Sequence, residues 1–434
     1  MRASSGVSEE WREHWPVVLS AFLAGAVEVT YSFSLGVFLQ PIQSDLGWTR
    51  AQITAGMAMV SFAAVLLSMP LGILIDRYGA RRVGLPGIAV YCTSFAAISL
   101  VTASIWTWWL AWFFVAIGSA AMKPMVWTTA VVGHFRRSRG LALGVTLCGT
   151  GFGGAVVPYV SQALVAHYGW RTSYVCLGLG GALITLPLAL CVFYDARDKV
   201  RRDRHADVQP QNLPGFSARE SVFSWRFVRL GLAGMLATAA LYAMVVHFVP
   251  LLSSRGTSRA SAAGIASLIG ISSLLGRLIC GYLTDRLDAR RLGALLIILP
   301  VVPALLLLHH STPLWLAGLV ALTIGLSLGG EVNIVAYLSS RYFGIRSYGT
   351  IFGALVGVLS IGQGVGPFLM ALSYDHIGSY NFALLALCPM LLLAAALILF
   401  LGAYPILRVS EEPEPQRRDP ISPELSGQVT KPAP

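Results

Sequence analysis

The stretch Gly72 to Arg82, which reads Gly-Ile-Leu-Ile-Asp-Arg-Tyr-Gly-Ala-Arg-Arg, is repeated in the second half of the chain. Its copy, Gly281 to Arg291, reads Gly-Tyr-Leu-Thr-Asp-Arg-Leu-Asp-Ala-Arg-Arg. The two stretches lie 209 positions apart and share seven of eleven residues. Because this separation is about half of the 434 residues, the repeat indicates a duplicated protein made of two similar halves.

The apolar composition predicts an all-α integral membrane protein. Hydrophobic residues make up 56% of the chain and charged residues only 12%, whereas about 25% is usual for charged residues in soluble domains. A spanning helix needs roughly 20 apolar residues. We predict twelve spans: 17–40, 53–75, 83–102, 108–132, 140–165, 174–194, 227–251, 262–283, 292–309, 314–339, 348–374 and 382–405.

The net charge of +11 is distributed by topology, which argues against a nucleic-acid partner. If the N-terminus is cytoplasmic, the cytoplasmic segments hold 25 of the 31 Lys and Arg residues. This asymmetry follows the positive-inside rule and predicts that both termini lie in the cytoplasm. We therefore expect a multi-pass protein of the cell (inner) membrane.

The predicted spans form two parallel six-helix repeats around a central cavity. The first bundle covers residues 17–194 and the second 226–405. The predicted cytoplasmic segments are the N-terminal 1–16, a linker at 195–225 and a disordered tail at 406–434. Equivalent positions are an even number of spans apart, so the halves run in the same direction, and such repeats imply a substrate path between them.

The chain resembles the major facilitator superfamily, whose most specific motif is the Gly-x-Leu-x-Asp-Arg-x-Gly-x-Arg-Arg loop at Gly72 to Arg82. Five further stretches resemble the bacterial branch of the monocarboxylate transporter family, which includes oxalate–formate exchangers: 45–50, 135–158, 168–171, 276–277 and 340–344. The resemblance implies that spans 1, 4, 7 and 10 line the cavity. It also implies that the span 8 arginine, Arg277, binds the substrate carboxylate.

Four ionisable residues lie deep within predicted spans: Glu28, Lys123, Arg277 and Glu331. Each costs at least roughly 2.5–3.5 kcal/mol on insertion scales, so each is a candidate for function. The guanidinium of Arg277 can hold a carboxylate through two parallel hydrogen bonds. The alternative role for Arg277 is a structural ion pair with Glu331.

Lys123 and Glu331 occupy nearly equivalent places in the two halves. Lys123 is a candidate second cation for substrate, or else a neutralising partner for Glu28 or Glu331. Pro124 beside it is expected to distort the helix. We expect proton coupling through Glu331, with Glu28 as the rival, or else a permanent salt bridge at Glu331.

Other polar and aromatic residues are weaker candidates for the substrate site. They are Tyr31, Trp127, Tyr242, His247, Asn333 and Gln363. Similar animal transporters carry an acidic residue one turn before the span 8 arginine, where this chain has Ser273, and a lysine in span 1, which this chain lacks. Similar oxalate–formate exchangers carry a lysine in span 11, which is also absent, and Lys123 is the candidate to replace it.

The repeated loop motif is expected to latch the halves together in the outward-facing state. An aspartate there can hold a helix N-terminus or a neighbouring arginine. The first copy is expected to be the stronger latch, since Asp288 replaces the turn residue Gly79. The latch residues are Asp76, Arg77, Arg81, Arg82, Asp285 and Arg286.

The sequence therefore predicts a secondary transporter of a small organic anion, a monocarboxylate above all, working as a monomer by alternating access. Proton symport and anion exchange both stay open. A drug or metabolite efflux transporter is the alternative within this class, and a membrane sensor or scaffold is the alternative outside it. No catalytic constellation, metal-ligand spacing or phosphate-binding loop occurs in the sequence, so we expect neither an enzyme nor a cofactor.

Overall fold

The fold is a bundle of long helices, and the structure, a computed structural model, describes residues 2–194, 215–308 and 313–405. The helices of each span are as follows: span 1, Arg2–Glu28 and Thr30–Leu46; span 2, Arg50–Tyr78; span 3, Ala80–Ala97, followed by the 3-10 turn Ile98–Leu100; span 4, Ile105–Ala120 and Pro124–His134; spans 5 and 6, Arg139–Val192; span 7, Trp225–Ser254; span 8, Arg259–Thr284; span 9, Ala289–Ile298 and Val301–Leu306; span 10, Leu314–Phe343; span 11, Tyr348–Ile377; span 12, Asn381–Leu399.

The predicted number of spans is confirmed. Within the described residues, 11 helices are long and apolar enough to cross a membrane. The longest, Arg139–Val192, has a non-helical residue at Gly169, with φ of 73°, and therefore provides two spans. Glycine suits this corner because a positive φ is unfavourable for residues with a Cβ atom.

Two predicted boundaries differ from the structure. The first helix begins at Arg2, not near residue 17, because the N-terminal segment 1–16 continues span 1 and docks on the loop after span 4. There the Glu10 carboxylate accepts hydrogen bonds from the backbone N–H groups of Arg137 and Ser138, at 3.1 and 3.3 Å. The end of the linker also contains a short helix, Ala218–Val222, begun by a capping box of Ser217 and Glu220.

The remaining parts of the linker and tail predictions, 195–214 and 406–434, lie outside the described residues. Proline breaks span 4 as expected, since Lys123 is extended at ψ 157° and the second helix starts at Pro124. Span 9 is also divided, at Leu299 and Pro300, although both residues keep helical backbone angles.

The two halves meet at one face of the bundle, which we call the basic face: the loops that follow spans 2, 4, 8 and 10. Span 2 packs on span 11 there, and span 5 packs on span 8. A Cβ atom on Gly72 would overlap the backbone oxygen of Gly349, and one on Gly140 would overlap that of Gly281. Only glycine permits helix backbones to approach so closely.

Two glycines further along the spans have open space beside them. Further along spans 8 and 11, a Cβ atom on Gly270 or Gly364 would have no neighbour within 4 Å. The described residues therefore form a bundle in which the halves are closed against each other at the basic face.

Candidate functional site

The centre of span 1 is interrupted beside a buried charge pair. Its helix stops at Glu28 and resumes at Thr30. The hydroxyl of Tyr91, from span 3, donates a hydrogen bond to the Glu28 backbone oxygen at 2.9 Å and accepts one from the Tyr31 N–H at 3.1 Å. Because the break leaves backbone groups without helical partners, Tyr91 satisfies them from a neighbouring helix.

The first buried charge cluster, in the N-terminal half, is neutral by itself. Lys123 Nζ lies 2.7 Å from Glu28 Oε1, and the Ser119 hydroxyl donates to the same oxygen at 3.0 Å. The ammonium also lies 5.5 Å from the centroid of the Tyr31 ring. The side chains of Lys123 and Glu28 are only 15% and 5% exposed. Lys123 is therefore the neutralising partner of Glu28, not of Glu331.

Arg277 reaches across the interface between the halves. Its Nη1 donates hydrogen bonds to the backbone oxygen of Leu147 and to the hydroxyl of Thr150, both in span 5. Asn333 holds the backbone of Arg277 from span 10, donating from Nδ2 to its oxygen at 2.9 Å. The buried Nε of Arg277 has no hydrogen-bond partner among the described residues.

The expected alternative pair of Arg277 with Glu331 is not formed. Across the described residues, no carboxylate makes an ion pair with Arg277, although Glu331 and Tyr242 interact with it electrostatically at longer range. Neutral hydrogen-bond acceptors hold the guanidinium instead. Among the described residues, no carboxylate therefore contacts the guanidinium at the meeting point of the two halves.

Glu331 is buried at 4% exposure and is hydrogen bonded to a single side chain. The hydroxyl of Thr238, in span 7, contacts Glu331 Oε1 and also lies 2.8 Å from the Gly234 backbone oxygen. A hydroxyl has one hydrogen, so it can donate to only one of these oxygens at a time. The backbone oxygen of Gly234 can only accept.

Two arrangements of protons satisfy this geometry. An ionised Glu331 accepts the Thr238 hydrogen. A protonated Glu331 donates to Thr238, which then donates to Gly234. Beside Glu331 is a cavity of about 10 Å³ lined in part by Ser327, whose buried hydroxyl has no partner among the described residues. The site can therefore hold Glu331 in either protonation state without moving a helix.

Tyr242 interacts with the buried charges of both halves. It lies one helical turn beyond Thr238 in span 7 and interacts electrostatically with Glu331, Arg277, Tyr31 and Lys123. The structure thus brings together the predicted residues Arg277, Glu331 and Tyr242, with Lys123, Glu28 and Tyr31 on the other side. Of these residues, Arg277 contacts the opposite half, whereas Glu331 lies among spans 7, 9, 10 and 12 of the second half. Glu28 and Lys123 contact each other within the first half.

Four other predicted site residues have different surroundings. Trp127 is 2% exposed and packs against Phe193 in the core, with its Nε1 donating to the Met122 oxygen at 2.7 Å. Asn333 is 2% exposed and supports the span 8 backbone. Gln363 is exposed in span 11. The prediction that Trp127 and Asn333 face the cavity as donors or walls is therefore not supported.

His247 belongs to a contact at the far end of span 7. Its two ring nitrogens lie 3.0 Å from the Pro367 oxygen and 3.4 Å from the Tyr380 hydroxyl. It lies nine residues after Thr238, or roughly 13 Å along a helix. His247 therefore has its own partners in spans 11 and 12, away from the buried charges.

Sequence reasoning missed four residues that organise these clusters: Tyr91, Ser119, Thr150 and Thr238. Each is a hydroxyl residue inside an apolar helix, where such side chains commonly bond to their own backbone. Nothing in their sequence positions distinguishes them from the many other Ser and Thr residues in the spans. Only the packing of the helices reveals their partners.

The aspartates of the repeated motif form two equivalent contacts across the halves. Asp76 accepts hydrogen bonds from the N–H groups of Gly349 and Thr350 at 2.9 and 2.6 Å. Asp285 accepts from those of Gly140 and Leu141 at 2.7 and 3.0 Å. Gly140 and Gly349 are also 209 positions apart. Each aspartate therefore caps the N-terminus of a span in the opposite half, a favourable place for an anion.

The other expectations for the latch need correction. Both copies make two backbone hydrogen bonds, so the geometry does not favour the first copy. Asp288, which takes the place of Gly79, caps the next helix through the N–H of Arg290. Arg81 ties span 3 to span 6 within one half, donating to the Phe193 and Leu190 oxygens at 2.8 and 2.5 Å.

The remaining latch arginines also stay within their own loops. Arg77 lies over the ring of Tyr78 and Arg286 over that of Tyr282, at 5.3 and 4.1 Å from the centroids. Arg82 is exposed. At the basic face Arg139, which was not among the predicted latch residues, crosses between the halves: its Nη1 donates to the Ser340 hydroxyl at 3.2 Å.

Twelve apolar spans in two repeated halves, which meet around buried charges, define a membrane transport protein. Residues 18–367 match the Major Facilitator Superfamily, and the chain belongs to this family. It is 25% identical over 389 residues to monocarboxylate transporter 10 of Danio rerio, covering 85% of this chain and 74% of that relative.

Two further comparisons find similar transporters. The chain is 23% identical over 393 residues to a 4-hydroxybenzoate transporter of Pseudomonas aeruginosa, covering 81% of this chain and 87% of the relative. The structure is similar to that of the E. coli fucose:proton symporter, with a TM-score of 0.69 at 17% identity, covering 89% and 98% of the two chains. This last likeness concerns the fold alone.

Proposed function

We propose that this protein is a secondary active transporter of a small monocarboxylate, working by alternating access. The observation that carries the proposal is the guanidinium of Arg277, which reaches between the halves and which no carboxylate contacts among the described residues. A charge held in a membrane span without a counterion is unfavourable, and a bound carboxylate supplies the missing negative charge. The names of the two sequence relatives, a monocarboxylate transporter and a 4-hydroxybenzoate transporter, support a cargo of this class.

The cluster around Lys123 favours a single carboxylate over two. Lys123 is already paired with Glu28 at 2.7 Å. A dicarboxylate would have to break this pair and leave Glu28 as an unpaired buried charge, which is strongly unfavourable. The second cation that the sequence suggested for a dicarboxylate is thus occupied, and a monocarboxylate needs only Arg277.

Substrate binding is expected to replace the contacts of Arg277 with span 5. Both contacts, to the Leu147 oxygen and the Thr150 hydroxyl, cross the interface between the halves. A carboxylate that takes the same guanidinium hydrogens releases span 8 from span 5 at this depth. Binding of the cargo would in this way be coupled to movement of one half against the other.

Glu331 is proposed as the proton-coupling residue. Glu28 is paired with Lys123, whereas Glu331 contacts a hydroxyl, and a buried carboxyl without a contacting cation is favoured in its neutral form. If Arg277 turns from span 5 towards Glu331, it stabilises the ionised form and expels the proton. The substrate carboxylate and Glu331 would then compete for the guanidinium of Arg277, which links substrate binding to the protonation of Glu331.

We propose that the protein lies in the cell (inner) membrane. Its basic face and both termini would then lie in the cytoplasm. The closed basic face then corresponds to an outward-open state. The protein is proposed to work as a monomer, since each chain contains both halves of the path.

Uptake or counterflow in proteoliposomes tests the proposal. The panel contains monocarboxylates, including an aromatic one such as 4-hydroxybenzoate, matched dicarboxylates, and the amide of each acid. We expect transport of at least one monocarboxylate and of no amide. Failure of every carboxylate, with a protein that is folded by size-exclusion chromatography, would contradict the proposal.

A further inference from the structure

A cavity of about 320 Å³ lies on the basic face between the two halves. We call it the basic cavity. Arg136 and Arg137 line it from the loop after span 4, in the first half. Arg286 and Arg341, in the second half, line it together with Asp285 and Asp288. Four arginines and two aspartates give these walls a formal net charge of +2.

The carboxylates of the basic cavity are already occupied. Both oxygens of Asp285 accept backbone hydrogen bonds from the start of span 5. Asp288 is paired with Arg290 at 2.6 Å and accepts a hydrogen bond from the Tyr404 hydroxyl at 3.3 Å. Hydrogen bonds from Arg290 lower the pKa of Asp288 to about 2, so Asp288 stays ionised and bound to that arginine. Neither aspartate is left to neutralise the lining arginines.

The four lining arginines have no carboxylate partner among the described residues. Arg286 is held over the ring of Tyr282, and Arg341 lies 5.1 Å from the ring centroid of Tyr404. The Glu10 carboxylate near the other two is directed to the backbone N–H groups of Arg136 and Arg137, not paired with their guanidinium groups. Like charges around one cavity repel each other, and an anion placed among them removes this repulsion.

A plain solvated face is the simpler explanation, since cytoplasmic loops are generally basic. A solvated face explains why the charges are positive. It does not explain why four arginines line one cavity whose two aspartates are bound to other partners. Guanidinium groups match phosphate oxygens through paired hydrogen bonds. We propose that the basic cavity binds a phosphate-type anion, either free phosphate or the phosphate of a lipid headgroup.

The position of the basic cavity gives binding a consequence. Because its arginines come from both halves, the cavity exists only while the basic face is closed. An anion that binds only this state shifts the population towards it. The anion would therefore be a regulatory ligand that holds the transporter closed on the basic face, independently of which cargo it carries.

Cys148 provides a native reporter of this closure. Its Sγ lies 3.7 Å from the Leu274 oxygen, across the contact between spans 5 and 8, and the residue is 7% exposed. The test uses a chain with Cys148 as its one cysteine, the other five being changed to Ala. The rate at which a water-soluble maleimide labels Cys148 from the basic face is measured in phosphatidylcholine vesicles at constant ionic strength.

Inorganic phosphate is compared with chloride, and vesicles that contain phosphatidic acid are compared with pure phosphatidylcholine. We expect one of these probes to slow labelling at least about fivefold. The effect should disappear in the Arg137→Gln/Arg341→Gln variant and persist in Arg12→Gln/Arg219→Gln, whose two exposed arginines do not line the cavity. Slowing by phosphate identifies the soluble anion, and slowing by phosphatidic acid alone identifies the headgroup.

The proposal is overturned if neither probe slows labelling, or if both double variants respond alike. The latter result would show a general effect of surface charge. To separate a failed closure reporter from failed binding, the midpoint of thermal unfolding is followed with the same probes. Wild type should be stabilised by the effective anion and Arg137→Gln/Arg341→Gln should not. This outcome does not depend on carboxylate transport.

Discussion

The buried charges of the two halves are arranged in different ways. In the first half, Glu28 and Lys123 neutralise each other at 2.7 Å. In the second half, Arg277 and Glu331 each contact neutral groups, although they interact electrostatically at longer range. Lys123 and Glu331 occupy nearly equivalent places in the repeat, so duplication provided similar positions that the halves use differently. The first pair is suited to holding a broken helix, and the second to binding and releasing charge.

The largest effect is expected from breaking the neutral pair. Lys123→Ala leaves Glu28 buried without its cation, which should lower the free energy of unfolding by about 3–5 kcal/mol. The loss should be visible in the midpoint of thermal unfolding and in the yield of monodisperse protein.

The matched control removes both charges. Glu28→Gln with Lys123→Met leaves no unpaired charge, and replacement of a whole buried pair is often neutral for stability. This double variant should fold and should transport the cargo within about threefold of wild type, the scale of a conservative buried replacement. A loss of transport in a folded double variant would show that Lys123 binds cargo.

Glu331→Gln tests whether the buried charges of the second half bind and release a proton. Glutamine keeps the shape of Glu331 and can hydrogen bond to Thr238, but it cannot release a proton. We expect cargo exchange to continue while uptake driven by a pH gradient falls at least about tenfold, as expected for loss of a coupled proton. Uptake and counterflow are measured in the same proteoliposomes.

Thr238→Val is the companion variant for this site. It removes the hydroxyl that serves both protonation states of Glu331, so the pH dependence of uptake should shift without being lost.

An unchanged response to the pH gradient in Glu331→Gln would exclude Glu331 as the coupling residue. The same assay on Glu28→Gln with Lys123→Met then tests Glu28. Loss of the response to the pH gradient would support Glu28 as the coupling residue, and an unchanged response would exclude it.

The smallest effects are expected at the basic face, where the halves are alike. Asp76→Asn and Asp285→Asn each replace one of two accepting oxygens by an amide, which should weaken closure by about 1–3 kcal/mol. Because each aspartate makes two hydrogen bonds, the two variants should increase the labelling rate of Cys148 to a similar extent. A much larger effect of Asp76→Asn would support the asymmetry that the sequence suggested.

The sequence predicted the architecture because its signals are local. Twelve apolar runs, the break at Pro124 and the aspartates of the repeated motif are each visible within a few residues. The interruption of span 1 at Val29 was not predicted, since no proline or glycine marks it. Its backbone groups, among them the N–H of Tyr31, are satisfied by Tyr91. Tyr91 lies 60 residues after Tyr31 in the sequence.

The candidate site was predicted in part for the same reason. A charge within an apolar run is conspicuous, so Arg277, Glu331, Lys123 and Glu28 were found. Their partners were left open, because a backbone oxygen such as that of Leu147 has no signature in the sequence. The geometry shows no contact between Arg277 and Glu331 and pairs Lys123 with Glu28, which argues against the dicarboxylate that the sequence left open.

The central claim is that Arg277 is free of a carboxylate so that it can bind one from the substrate. Calorimetry on purified protein measures it directly, with the carboxylate that the transport panel selects and the amide of the same acid as control. We predict that wild type binds the acid and not the amide. Arg277→Ala should bind neither, and Arg277→Lys should bind the acid at least about tenfold more weakly, since lysine lacks the paired donors. Unchanged binding of the acid to a folded Arg277→Ala variant would contradict the account.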